Sequence, residues 1–141
     1  EVEIPEEKPP AQKILQIFSS TVEITRADIL DGKIILEGVL VLQIIYIAAE
    51  EDQPVHHAHV EIPFTSFVDM PGAYPGMNVL VRPRVEFVTV QFLPVGVTPP
   101  PDVGTRSLVV DAIIEVFVKV TKTVQKYVVI DVIVPQGFRD P

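Results

Sequence analysis

Apolar and polar positions alternate with a period of two along much of this chain, and the longest such run is IILEGVLVLQIIYIAA, Ile34 to Ala49. Ile34, Leu36, Leu40, Leu42, Ile44 and Tyr46 fill the even positions with large apolar side chains. The odd positions hold Glu37 and Gln43 among Ile35, Val39, Val41, Ile45 and Ile47. The β-branched content and the period predict a long strand with an even core face and a half-wet odd face. Sixteen residues carrying Glu37, Gly38 and Gln43 make a poor membrane helix. A strand apolar on both sides is either central in its sheet or covered by a partner.

The flanking runs build on this strand. QKILQIFS, 12–19, places Ile14 and Phe18 on one face and Leu15 and Ile17 on the other, and TVEITRADIL follows as a second strand. Asp31-Gly32 then joins two apolar runs, a hairpin signature in which both turn residues need positive φ. EEDQP is a loop, and VHHAHVEIPF resumes the alternation with Ala58, Val60, Ile62 and Phe64 inward and His57, His59, Glu61 and Pro63 outward. Pro71-Gly72 and Pro75-Gly76 each suit a type II turn.

In NVLVRPRVEFVTVQFLPV, Val79, Val81, Val85 and Phe87 hold the apolar phase opposite Arg82, Arg84 and Glu86. Val88, Val90 and Phe92 then take the phase over. A phase slip of this kind marks a β-bulge or bend, and Pro83 points to an edge strand or bulge. GVTPPPDVGT is a stiff loop. In the last long stretch, Val110 to Val120 are apolar at even positions and Asp111, Glu115 and Lys119 oppose them. Val124, Val128, Ile130, Val132 and Val134 predict an antiparallel return strand.

The expectation is an all-β domain, an antiparallel β-sandwich or partly open barrel of about 7–9 strands. Residues 12–134 form the domain, between an extended proline-rich arm over 1–11 and a tail over 135–141. A chain of this length buries about two-thirds of its unfolded surface, so it needs no disulfides to hold a core, and it has no cysteine. In the arm, Val2 and Ile4 alternate with Glu1 and Glu3 ahead of Pro5, Pro9 and Pro10. It reads as a loose terminus or, more sharply, as a short strand on a tether that pairs with a neighbouring molecule. The start at Glu1 rather than Met implies a piece processed away, truncated or unnumbered upstream. No signal peptide or transmembrane segment is read.

Charge narrows the partners. Nineteen acidic and 11 basic residues leave a net charge of −8, which repels polyphosphate and argues against nucleic acid. His57 and His59 share a strand face and could chelate one ion, with Glu61 only a candidate third ligand. A solvated or interface face is the preferred reading, and as a contact it would be pH-sensitive. Glu6-Glu7, Glu50-Glu51 and Asp28 with Asp31 fall in loops and turns, where acids solubilise; no pair is aimed across a cleft. No nucleophile elbow or phosphate loop appears. Arg82, Arg84 and Glu86 form a charged face, a solvated edge or a docking surface. With no tryptophan among ten aromatic residues, few remain to stack sugars. No enzyme, metal or cofactor is expected.

The series DGKIILEGVLVLQIIYIAAEEDQPVH, then EIPFTSFVDMPGAYPGMNVLVRPRVEFVTVQF, then IIEVFVKVTKTVQKYVV resembles the SPOCS domain of endospore-forming bacteria over roughly residues 12–134. The resemblance implies a spore-envelope or cell-surface, extracellular role and brings no catalytic residues with it. SPOCS domains occur ahead of a peptidoglycan-binding LysM module in a coat-morphogenesis protein, and in small proteins of unknown role. One SPOCS-like unit without a LysM segment favours a stand-alone building block. The leading expectation is a homo-oligomeric or polymeric structural subunit that associates by β-strand addition, with other spore coat proteins as alternative partners. Val2, Ile4, Arg82, Arg84, His57 and His59 are the candidate contacts. A monomeric adaptor that docks on another coat morphogenesis protein is the second reading.

Overall fold

The computed structural model describes residues 1–125. They form two three-stranded antiparallel sheets and no helix. The strands are β1 (Val2–Glu3), β2 (Ala11–Leu30), β3 (Lys33–Ala48), β4 (Val55–Asp69), β5 (Asn78–Phe92) and β6 (Ser107–Thr121). One sheet has the order β2-β3-β4 and the other β1-β6-β5. β2 also lies beside β5, and β1 beside β4.

The all-β sandwich is as expected, with six strands among the described residues in place of seven to nine. The main reason is β2. The sequence splits at Ser19-Ser20, but Ala11–Leu30 is one strand with register shifts after Ala11, Ile14, Ile17 and Ile24. Each shift inserts a residue and resets the inward phase. Ile14 and Ile17 therefore both pack on the core, and Leu15 and Phe18 are exposed. Simple alternation had put Ile14 with Phe18 and Leu15 with Ile17. Val124 is described and lies in no strand; the rest of the expected return strand, 126–134, lies outside the described residues.

β3 is the central strand of its sheet, which explains why both its faces are apolar. Its even side chains Ile34, Leu36, Leu40, Leu42, Ile44 and Tyr46 are buried. The outer Val39 and Val41 lie between Glu23 and Thr21 of β2 and Pro63 and Glu61 of β4. They are only half-buried. The pairing that shades this face lies within the sheet, so its apolar character requires no partner.

The β2–β3 hairpin turns at Asp31-Gly32, with Leu30 opposite Lys33. Only Gly32 takes positive φ, at 74°, so the expected pair of left-handed residues is reduced to one. Pro71-Gly72 and Pro75-Gly76 turn as predicted. Gly72 and Gly76 have φ of 93° and 98°, and the closing bonds are Ala73 N–H to Met70 O and Met77 N–H to Tyr74 O. The loop between them carries the chain from one sheet to the other and caps the hairpin, where Gly32 N–H donates to Ala73 O.

β5 is an edge strand, as Pro83 implies, and is bulged between Val85 and Phe87. The slip falls one residue earlier than the sequence phases suggested. Phe87 therefore turns to the outer face opposite Ile113, whereas Val88, Val90 and Phe92 face inward. The core gathers Leu40 to Ala48 of β3, Ala58 and Val60 of β4, Leu108 of β6 and Ile4 of the arm.

Candidate interaction site

The N-terminal arm is built into the fold. Val2 pairs with Leu108 and Glu3 with Ser107, antiparallel on the edge of β6. Ile4 N–H donates to Arg106 O at 2.8 Å, and Arg106 Nη1 donates to Pro5 O at 2.8 Å. The Ile4 side chain is 3% exposed and belongs to the main core. The segment 105–108 is therefore a seat with two kinds of contact: backbone bonds that set register and a pocket for one aliphatic side chain.

The linker back to β2 is fixed at its far end. Proline has no N–H, so Pro5, Pro9 and Pro10 offer only carbonyls, and each finds a donor. Lys8 N–H and Arg106 serve Pro5, the Tyr46 hydroxyl serves Pro9 at 2.7 Å, and Ala49 N–H serves Pro10 at 2.9 Å. Ala11 and Thr105 then exchange two bonds of 2.8 Å, tying the first residue of β2 to the segment that seats the arm. Gly104 permits this crossing: its φ is +64°, and a Cβ there would lie 2.5 Å from the Ala49 Cβ. Glu6 and Glu7 between the prolines are exposed.

Tyr46 is the one polar-tipped side chain on the buried face of β3, stacked on His56 with ring centroids 6.0 Å apart. Burial raises its pKa above 10.0; Arg106 opposes that shift and Glu50 adds to it.

The other candidate residues stand apart from this seat. Arg82 and Arg84 lie on the outer face of β5, where Arg84 Nη2 meets Glu115 Oε2 at 2.8 Å on the surface. His57 and His59 lie on the outer face of β4. His59 Nε2 is 3.1 Å from Glu61 Oε1. His56 faces the other way, against Tyr46. Among the described residues, no group of three His, Cys, Asp or Glu side chains is placed to hold a metal. A cleft of about 660 Å³ opens between the start of β2 and the loop after β5, over Ile14, Ile47, Val90 and Phe92. Gln12, Gln53 and Gln91 also line it, and among the described residues Lys13 is its one ionisable group, which makes no acid–base pair.

Val2 and Ile4 were legible as a strand, but their seat was not. Arg106, Ser107 and Leu108 directly follow a proline-rich loop and carry no motif. Tyr46 did leave a signal, a hydroxyl on an otherwise aliphatic face, which when buried needs a partner.

A family model described as "SipL, SPOCS domain" matches residues 10–93. The match runs from the end of the arm through β5 and leaves β1 and β6 outside it. No curated protein matches the chain, and no solved structure does. No helix among the described residues is long and apolar enough to cross a membrane.

Proposed function

The chain belongs to the SPOCS domain family, a spore-associated family, and on that premise we propose that it is a non-enzymatic structural subunit of a spore-envelope or cell-surface assembly. Its copies join by β-strand addition, the arm of one subunit taking the seat at 105–108 of the next. The supporting observation is the arm itself: a two-residue strand held on an edge by backbone bonds and one buried side chain, on a proline-bounded linker.

Exchange between copies would remake the same contacts in trans, a low-cost route to association. The contacts are the same in the closed and the exchanged form, so concentration decides between them. A head-to-tail exchange whose rotation does not close on itself extends into a filament.

The test is the pair Glu3→Cys/Ser107→Cys in this cysteine-free chain. The two positions are register partners, within the Cα separation a disulfide spans. Oxidation of concentrated protein should yield a ladder of covalent multimers, with filaments in electron micrographs that reduction spares. A single intramolecular bond at every concentration, with a monodisperse particle of 15.6 kDa, would rule exchange out.

The closed arm, and Arg82 exposed on the outer face of the sheet that the arm joins, favour a second reading, the monomeric adaptor on another coat morphogenesis protein. It expects Arg82→Glu to abolish capture of that protein while leaving the fold unchanged.

A further inference from the structure

The outer face of the β5–β6 ribbon carries an apolar strip. Phe87, Ile113 and Phe117 are 50%, 55% and 56% exposed. They sit on either side of the Arg84–Glu115 ion pair, with Phe87 opposite Ile113 on one side and Arg82 opposite Phe117 on the other. Three large apolar groups on one face, two of them cross-strand partners and the third one row beyond the ion pair, are unlike the scattered exposed residues of an ordinary surface.

Charge on this face is sorted along the strands. Beyond Phe117 stands Lys119, close to Arg82; beyond Ile113 stands Asp111, with Glu86 at the bulge. The middle row, Arg84 with Glu115, neutralises itself. Lys119 and Asp111 are about 26 Å apart at about 3.3 Å per strand residue. That exceeds the Debye length of about 8 Å at physiological salt, so the two ends act as separate positive and negative poles.

From this arrangement we infer that the face docks a second copy of the same chain, through a two-fold axis in the plane between the two sheets and perpendicular to the strands. An axis parallel to the strands would bring like poles together. The perpendicular axis, passing over the Arg84–Glu115 row, sets each Lys119 on the partner's Asp111 and each Phe117 on the partner's Ile113. The face thereby becomes complementary to itself at its two poles, as an isologous contact requires, while the middle row meets its own copy with each Arg84 already paired to its own Glu115. The polar ends select the antiparallel orientation and the apolar strip supplies the area. This contact is separate from arm exchange and uses neither β1 nor its seat.

Glu115 lies next to the axis, so a cysteine there faces its own copy. Facing sheets stand about 10 Å apart, too far for a disulfide but within reach of a short bis-maleimide. Glu115→Cys in the full chain should cross-link to a covalent dimer, whereas Glu23→Cys, on the outer face of the other sheet, should not. Charge supplies the second reading, by sedimentation. Lys119→Asp and Asp111→Lys should each weaken the dimer about tenfold, since each places two like-charge pairs in the interface. The double exchange should restore it. Absence of the Glu115→Cys dimer, or a double variant as weak as the single ones, overturns the inference. An apolar strip covered by another segment or by a different protein would appear as the first of these. Arm exchange is read separately, at positions 3 and 107, so either contact can fail alone.

Discussion

The Tyr46 hydroxyl donates to the carbonyl of Pro9 across 2.7 Å, so the central strand of one sheet holds the linker whose arm completes the other. Tyr46→Phe keeps the ring and its stacking on His56 and loses this bond. It should cost about 1 kcal/mol, with an unpaired carbonyl left near the core, and the denaturant midpoint measures it.

The same phenol makes a pH prediction. Its folded pKa is raised above 10.0 by burial, so the native state keeps a proton that the unfolded state releases. The contribution is whole below pH 10.0 and is lost as pH rises from there through the folded value. Urea midpoints taken from pH 8 to 11 should fall more steeply in the parent than in Tyr46→Phe. Parallel profiles would show that Tyr46 is not the group responsible.

Ile4 makes the arm part of the core, so removing residues 1–10 cannot leave the fold untouched. Ile4→Ala should destabilise by about 2–5 kcal/mol, the range for a truncated core aliphatic. Glu3→Ala, at the exposed neighbouring position, should stay within about 0.5 kcal/mol. Equal midpoints for the two variants would place Ile4 outside the core in solution.

Gly38 lies opposite Phe64 in the β3–β4 register, with the phenylalanine ring lying over the glycine. A Cβ there would meet the Phe64 ring at 2.7 Å and the Glu23 carbonyl at 2.6 Å. Gly38→Ala should cost about 1–3 kcal/mol, as overpacking does. Adding Phe64→Leu should relieve only part of the loss, because the Glu23 carbonyl is backbone and cannot step aside. A double-mutant cycle on thermal unfolding reads the coupling.

Arg84 and Glu115 form an exposed pair, and such pairs contribute little to folding. Arg84→Ala should change stability by less than about 1 kcal/mol, with a smaller effect still at high salt. A larger, salt-insensitive loss would mean that the pair is covered in solution.

The class of the protein and most of its faces follow from the order of its residues alone. Alternation in β3, β4 and β6 identified the inward side chains, because a strand's period is two and burial selects one side. Asp31-Gly32 and the two Pro-Gly pairs located turns, because each needs a glycine at positive φ. The SPOCS resemblance rested on the order of those same pieces, and the family match over residues 10–93 bears it out.

Tertiary structure decided what depends on a partner strand. Four insertions turn β2 into one long strand in which Ile14 and Ile17 share a face, a register that exists only against β3. The slip beside Glu86 sends Phe87 outward, onto the face it shares with Ile113. Whether Val2 and Ile4 dangled or docked was not legible in a ten-residue arm, since its seat lies about a hundred residues away and is made of backbone carbonyls and amides. Such groups are common to every sequence; only the fold brings them to one edge.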